Sequence, residues 1–236
     1  MTTVAGDLAP SGVLRASINL GNPVLAQGTA DAPAGVTVDI ARELAKRLEL
    51  PLELVCFDAA RKSFEAMTTG QADLCFLAID PARAAEVAFS APYVVIEGVF
   101  AVPRDSALTT VAEVDTPGVR IGVKQGSAYD LYLTRMLQQA TVVRGAEGVD
   151  VFRAEGLEVA AGIRQPITRY VAGNPDLRLI DERFMQIQQA VGTTKGRHPD
   201  TVAFLRATVE DLKASGFVSE ALRMSGQADA VVAPPG

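Results

Sequence analysis

The sequence predicts an α/β protein with open, mostly parallel sheets flanked by helices. The first observation is a run without polar side chains at residues 74–79, which is typical of a strand buried on both faces of a parallel sheet. The second is the strand–helix–strand order of residues 52–79, which favours right-handed crossovers and parallel pairing. The third is size, because 236 residues with 48% apolar content fill one or two substantial cores.

Each predicted element follows from a local pattern. Short apolar runs bounded by turn residues predict strands at residues 13–18, 52–57, 74–79, 97–102, 119–123, 177–180 and 184–191. Apolar residues at helical spacing predict helices at residues 35–48, between 57 and 69, from 127 to 137, and at 165–171, 200–213 and 217–224. The last ten residues, ending Ala-Pro-Pro-Gly, predict a loose tail.

Charge and hydropathy exclude two classes of function. A formal net charge of −6 argues against nonspecific nucleic-acid binding, which needs a basic face. No apolar stretch reaches the roughly 18 residues that a membrane span requires. The composition is that of a globular protein.

The strand at residues 74–79 ends in a way that indicates a binding site. The turn pair Asp80-Pro81 stops the apolar run, and Arg83 follows just past the predicted edge of the sheet. Ligands bind at the carboxyl edge of open α/β sheets. An arginine there offers a planar fork of donors suited to a carboxylate or phosphate, and an exposed salt bridge is the alternative.

The same stretch resembles the signature of the family-3 extracytoplasmic solute-binding proteins, the amino-acid-binding subunits of ABC importers. In that family a strand ends in a polar loop, and Thr-Pro-Glu-Arg or a similar segment follows. The closing motif is Phe-Ser-x-Pro-Tyr, which here reads Phe89-Ser90-Ala91-Pro92-Tyr93. The resemblance extends from about residue 14 to residue 225.

The resemblance implies a two-lobed periplasmic-binding-protein-like fold of type II. Two open, mostly parallel sheets flanked by helices would be joined by a two-strand hinge. Lobe 1 would comprise residues 1–102 and 186–236, and lobe 2 residues 103–185. Two crossing strands permit the lobes to close over a ligand.

The resemblance also implies the ligand contacts. Arg83 and the amides of Ser127 and Ala128 would grip one anionic group from opposite lobes, since a helix amino terminus attracts anions. Simple helix capping by Ser127 is the alternative. Leu77 and Ala78 close the strand that leads to Arg83, and Phe57 is a weaker candidate because core packing is the commoner role of a phenylalanine.

Three positions depart from the family pattern. Asn19 replaces an acidic residue, and Asn22 replaces an aromatic residue that stacks on the ligand. Both amides can donate and accept hydrogen bonds, and ordinary turn formation is an equal alternative. Ile163 replaces the aspartate that pairs with the α-ammonium group of an amino acid. A hydrocarbon cannot accept a hydrogen bond from an ammonium, and burying that cation without a partner costs several kcal/mol.

Two arrangements would compensate for Ile163. A shift of one residue would bring Glu158 or another acid into the site, although Glu158 matches a structural aspartate of the family. Alternatively, Arg164 turns inward and makes the site doubly cationic. We expect a carboxylate-bearing small organic acid without a required α-ammonium group, such as a dicarboxylate, a keto acid or an aromatic acid.

Two further functions stay open. A cytoplasmic sensor or carrier would use the same clamp. A cyclohexadienyl-dehydratase-like enzyme would add a carboxylic acid in the cleft, with Glu97 or Glu155 as candidates that each also have a structural explanation. The only histidine, His198, lies beside a predicted helix start. No metal spacing, phosphate loop or nucleophile elbow is present in the sequence, so no enzymatic activity, catalytic residue, metal or cofactor is expected.

The expected partners are the small acid and an ABC importer permease, with the protein itself a monomer.

The two cysteines, Cys56 and Cys75, fall on two predicted strands, and in the family's strand order the first strand lies between these two. The cysteines would then be roughly 9–10 Å apart, which is beyond the reach of a disulfide. Free, buried thiols are expected. Residues 1–12 show no secretory signal. The resemblance implies a periplasmic location, and a native start at Met1 would imply the cytoplasm.

Overall fold

The computed structural model describes residues 3–236 and divides the chain into two compact units. Unit 1 contains the residues up to Val95 together with Gln188–Gly236, and unit 2 is Ile96–Ile187. Two long strands carry the chain between the units: β6 (Val87–Pro103) leaves unit 1 and β10 (Leu177–Thr194) returns to it. The segments predicted as separate strands at 177–180 and 184–191 are parts of this single strand.

Unit 1 is an α/β layer structure. Its other elements are α1 (Val4–Leu8), β1 (Leu14–Asn19), β2 (Gln27–Gly28), β3 (Pro33–Ala34), α2 (Val36–Arg47), β4 (Leu52–Phe57), α3 (Ala60–Thr68), β5 (Leu74–Ala78), α4 (Pro81–Ala84), α9 (Pro199–Ala214), α10 (Phe217–Met224) and β11 (Val231–Val232). The strands β4, β1 and β5 lie side by side in that order.

The parallel pairing predicted for these strands is confirmed. β1 pairs in parallel with β4 from Leu14↔Leu52 and with β5 at Ala16↔Leu74, and β10 pairs antiparallel with β5. All five residues of β5 are buried, as expected for a strand covered on both faces. The helix α2 places its apolar stripe in the core of unit 1, where Val38, Ile40 and Leu44 are fully buried.

The prediction of a loose tail is wrong. β11 pairs antiparallel with β6 at Val231↔Val95 and Val232↔Val94. Ala233 is buried, and its N–H donates to the Tyr93 carbonyl at 3.0 Å. The tail is ordered because it supplies hydrogen-bond partners to one side of β6, which would otherwise expose an open strand edge.

Unit 2 has its own sheet and helices. Its elements are α5 (Val111–Val114), β7 (Arg120–Lys124), α6 (Ala128–Met136), β8 (Thr141–Gly145), α7 (Gly148–Glu155), β9 (Val159–Ile163) and α8 (Arg164–Ala172). The strand order is β6, β9, β7, β8. β7 is parallel to β8 and β9, whereas β6 pairs antiparallel with β9, with Gly98 opposite Ile163.

A close approach of backbone fixes the first turn of α7 on the sheet of unit 2. A Cβ atom added to Gly122 of β7 would lie 2.6 Å from the carbonyl oxygen of Gly148, the first residue of α7. A Cβ added to Gly148 would lie 2.9 Å from the carbonyl oxygen of Ala161 on β9. Glycine at both positions therefore allows helix and sheet to touch.

The cysteines behave almost as expected. Cys56 on β4 and Cys75 on β5 are opposite neighbouring residues of β1, which lies between them, and both thiols are free. Cys75 is fully buried, whereas Cys56 is partly exposed, so burial was predicted correctly only for Cys75. No helix within residues 3–236 combines the length and the apolar character needed to cross a membrane.

Candidate functional site

The carboxyl ends of three parallel strands meet at one edge of unit 1. Asn19 ends β1, Phe57 ends β4 and Ala78 ends β5. Asn19 and Phe57 are register partners, and the Leu20 N–H donates to the Phe57 carbonyl at 2.8 Å. Leu77 lies one residue inside β5, where it is buried in an apolar cluster with Met67 and Phe89. We call this edge the carboxyl edge of unit 1.

The two asparagines beyond β1 build the loop at this edge. The Asn19 Oδ1 accepts from the Gly21 N–H at 3.0 Å, and the Asn22 Oδ1 accepts from the Val24 N–H at 3.3 Å. Asn22 is buried, and its carbonyl accepts two further backbone N–H groups. These are the hydrogen bonds of turn-forming asparagines, so the side-chain oxygens shape the loop.

Arg83 is folded back against the end of β5. Asp80 caps the short helix α4 by accepting from the Ala82 N–H at 2.9 Å, and Pro81 occupies the first turn. The turn brings the Arg83 Nη1 to 3.3 Å from the Ala78 carbonyl oxygen, with only 3% of the residue exposed. Burial lowers the pKa of the guanidinium, although attraction by Asp80 opposes the shift. A buried cation therefore lies at the carboxyl edge of unit 1.

In unit 2 the helix α6 begins directly after β7. The Ser127 Oγ accepts from the Asp130 N–H at 3.1 Å, and the Asp130 carboxylate accepts from the Gly126 N–H at 2.8 Å. Asp130 is itself held by the Arg144 Nε at 3.0 Å. The pattern is a variant of the capping box predicted at Ser127, and Ala128 is the first helical residue.

The end of β9 holds Ile163, where the resemblance implies the loss of an acidic partner for an α-ammonium group. Ile163 ends β9 and precedes α8 without supplying a side-chain cap, and Gly98 of β6 is its register partner. A side chain at Gly98 would collide with Phe184 and Met185, which occupy that space. The Phe184 ring stacks on Phe100 with centroids 4.2 Å apart. The surroundings of this register pair are apolar.

Arg164 follows Ile163 and is held by an acid. Its Nε donates to the Glu97 Oε2 at 2.6 Å, and its Nη2 donates to the Asp181 carbonyl at 2.8 Å. The Arg183 Nη1 donates to the other Glu97 oxygen at 3.0 Å. Burial opposes ionisation of Glu97, but the bonds from both arginines outweigh it and lower its pKa. We call Glu97, Arg164 and Arg183 the Glu97 cluster.

The Glu97 cluster was missed as a unit by sequence reasoning. Arg164 was considered only as a residue that turns inward, Glu97 only as an enzymatic acid, and Arg183 was not singled out. The antiparallel register of β6 and β9, which puts Gly98 opposite Ile163, is the signal that joins them. Gln189 of β10 is buried opposite Ala78, the last residue of β5.

Other titratable groups have structural surroundings. His198 is the N-cap residue of α9, where its Nδ1 accepts from the Asp200 N–H at 3.2 Å. Glu158 forms a salt bridge with Arg120 at 2.8 Å at the start of β9. In the described part of the chain, no three His, Cys, Asp or Glu side chains are grouped so as to hold a metal ion.

Comparison with known proteins defines the family. The sequence model of the "Bacterial extracellular solute-binding proteins, family 3" matches residues 18–224. The chain therefore belongs to the bacterial extracellular solute-binding proteins of family 3. A search of the curated proteins finds no match.

Solved structures share the fold at low sequence identity. A solute receptor for L-cysteine of Neisseria gonorrhoeae has a TM-score of 0.78 at 20% identity, covering 94% of this chain and 93% of that chain. A mutant of ArgBP from T. maritima has a TM-score of 0.77 at 21% identity, covering 95% and 99%. An ancestral amino acid-binding protein, described as a precursor of cyclohexadienyl dehydratase, has a TM-score of 0.75 at 19% identity, covering 94% and 99%. The predicted periplasmic-binding-protein-like fold is confirmed.

Proposed function

We propose that this protein binds a small carboxylate-bearing solute and delivers it to a transporter, and that the solute needs no α-ammonium group. The observation that carries the proposal is the end of β9, where Ile163 stands in place of an acid and the neighbouring acid, Glu97, is shared by two arginines. We propose that two lobes, residues 1–102 with 186–236 and residues 103–185, each contribute residues to the binding surface.

The carboxylate half of the proposal depends on Arg83 and the start of α6. Arg83 is a cation with 3% exposure, and burial lowers the pKa of its guanidinium despite the attraction by Asp80, so the negative charge of a ligand would favour the charged form further. Ser127 and Ala128 lie at the amino terminus of α6, a helix end that favours anions, and the Ser127 N–H would have to exchange its bond to the Lys124 carbonyl at 3.1 Å for one to the ligand. Asn19, Asn22, Phe57, Leu77 and Ala78 surround Arg83 in the proposal as walls of the site.

The second half of the proposal concerns the oxygen acceptor that an α-ammonium group would need. An α-ammonium group needs an oxygen acceptor, and Ile163 offers only hydrocarbon. Glu97 is the carboxylate nearest in register, but each of its oxygens already accepts from an arginine. Two guanidinium groups and one carboxylate leave a net charge of +1, which repels a cation. Arg164 therefore makes this part of the site more favourable to anions.

The family and the named relatives supply the alternative ligand class. The gonococcal relative is described as a receptor for L-cysteine, and the ancestral relative as an amino acid-binding protein. An amino acid is thus the competing ligand. The same ancestral title favours a second candidate function, a dehydratase acting on a cyclic carboxylic acid. An ABC permease is the partner that we propose for the transport function.

The test is a thermal-shift screen of amino acids against their deaminated counterparts. A ligand at about 100 times its Kd stabilises a protein by roughly 2.7 kcal/mol, which corresponds to several degrees in Tm at about 2–4 °C per kcal/mol. We expect acids without the amino group to raise Tm, and Arg83→Ala to abolish the response. Arg223→Ala, at an exposed ion pair with Glu220, is the control and should respond as the native chain does.

Two results would contradict the proposal. Stabilisation by amino acids without stabilisation by the matching deaminated acids would restore the amino-acid ligand. Conversion of a prephenate-like acid to product, followed by chromatography over time, would favour the enzyme.

A further inference from the structure

The Glu97 cluster has more donors than its acid can use. Arg164 and Arg183 each bond a different oxygen of Glu97, at 2.6 and 3.0 Å. A guanidinium carries five N–H donors, so two of them offer far more than one carboxylate can accept. The surplus is a positive charge together with hydrogen-bond donors of fixed geometry, which is what a second carboxylate recognises.

The cluster is accessible, which distinguishes it from a structural ion pair. The side chains of Glu97, Arg164 and Arg183 are 28%, 30% and 52% exposed. Ion pairs at this exposure contribute about 0–1 kcal/mol to stability. The fold therefore has little to gain from bringing two arginines to one acid at this place.

Unit 1 contains a structural counterpart with a different character. Asp73 also meets two arginines, Arg15 at 2.8 Å and Arg197 at 3.5 Å, but its side chain is only 1% exposed. Arg197 also donates to the Asp7 carbonyl and attracts the Asp7 carboxylate. The two acids, Asp7 and Asp73, thus balance the charges of Arg15 and Arg197. In that group the central acid is buried and the charges balance, whereas the central acid of the Glu97 cluster is 28% exposed and the cluster carries a net charge of +1.

The position of the cluster in unit 2 matches a ligand site. β7 and β9 are adjacent and parallel, so Ser127 after β7 and Arg164 after β9 follow the same edge of the sheet. Ile163 is the last residue of β9 and directly precedes Arg164, and the apolar side chains of Phe184 and Met185 lie at its register partner Gly98. One sheet edge thus presents a helix amino terminus, an apolar segment and a cationic cluster.

We propose that the Glu97 cluster is a second anion subsite and that the solute is a dicarboxylate. One carboxylate binds at the start of α6, which belongs to the site of the proposed function on which this inference rests. The hydrocarbon chain passes Ile163. The second carboxylate accepts hydrogen bonds from Arg164 and Arg183, while Glu97 holds both guanidinium groups in place.

The test compares dicarboxylates with monocarboxylates of equal chain length by calorimetry. The probes are the straight-chain acids of three to six carbons, from malonate and propionate to adipate and hexanoate. At the best-fitting length, the dicarboxylate should bind about tenfold or more tightly, since hydrogen bonds to charged groups contribute about 1.5–3 kcal/mol. Arg183→Gln should remove most of this preference, so that the Kd of the dicarboxylate approaches that of the monocarboxylate of equal length.

A matched variant separates charge from position. Arg153→Gln also removes a partly exposed arginine from unit 2. Arg153 lies in the last turn of α7, outside the Glu97 cluster, and it pairs with Asp176. The preference for dicarboxylates should persist in this variant. Equal binding of both acids at every length, or a preference that survives in Arg183→Gln, would overturn the subsite and leave the proposed function standing. Binding of amino acids without any of the acids would instead overturn the proposed function itself.

Discussion

Replacement of Arg83 by methionine should stabilise the ligand-free protein while abolishing its response to ligand. Methionine has a similar length and no charge. The native guanidinium is 3% exposed, and burial lowers its pKa, which means that the fold disfavours the charged form. The charged form is nevertheless the one present at neutral pH, because the pKa of arginine is far above it. At neutral pH the protein therefore always carries the free-energy cost of burying this charge.

Replacement of whole buried ion pairs by apolar residues of similar volume is neutral or stabilising by about 1–4 kcal/mol. Here only the cation is removed, so the loss of its attraction to Asp80 and of the Nη1 hydrogen bond to the Ala78 carbonyl, about 0.5–1.5 kcal/mol, reduces the gain. A net increase of about 1 kcal/mol corresponds to a rise in Tm of about 2–4 °C. The Tm increase upon ligand addition should vanish in the same variant.

The assay is thermal unfolding of Arg83→Met and Arg15→Met, with and without ligand. Arg15 donates through Nε and Nη2 to Asp73, which is 1% exposed. Its removal leaves a poorly paired buried carboxylate and should destabilise by about 3–5 kcal/mol. The two variants are thus expected to shift Tm in opposite directions. Equal destabilisation by both would show that Arg83 has a structural role and would refute the reasoning.

Three further outcomes are expected. Gly122→Ala should lower the free energy of unfolding by about 1–3 kcal/mol in urea, because its Cβ would lie 2.6 Å from the Gly148 oxygen; an unchanged midpoint would contradict the close approach. Backbone N–H groups just before α5 lower the pKa of Glu113 to about 2. The ionised Glu113 therefore contributes its full stabilisation of the fold above the pKa that it has in the unfolded chain, and this contribution is lost as the pH falls toward 2. Glu113→Gln should accordingly weaken the dependence of Tm on acid pH. Deletion of residues 230–236 should accelerate amide hydrogen exchange at residues 93–95, and unaltered exchange there would show that β11 does not protect β6.

The sequence patterns were sufficient wherever structure depends on neighbours along the chain. Period and turn residues placed α10 at its observed bounds, and the apolar run predicted β5. Strand–helix–strand order then implied parallel pairing. Because parallel strands end at the same edge, the placement of Asn19, Phe57 and Ala78 together followed from local patterns.

The features that were missed depend on contacts between distant segments. The bond between Arg164 and Glu97 requires the register of β6 against β9, which no local pattern specifies. The docking of β11 has the same origin, since a tail rich in proline and alanine shows no strand period by itself. The Asp7 carboxylate binds the N–H of His198 at the start of α9, far along the chain, so α1 was also missed.

The division of the chain into a continuous and an interrupted unit has a consequence for biosynthesis. Every residue of unit 2 has been translated by Ile187, whereas unit 1 needs Gln188–Gly236 for part of β10 and for α9, α10 and β11. On a ribosome, unit 2 is therefore complete while β5 of unit 1 still lacks its antiparallel partner in β10, which leaves an apolar strand with an open edge. Exposed apolar strands of this kind are prone to aggregate during synthesis. Unit 1 is accordingly the part of the nascent protein for which a chaperone has most to offer.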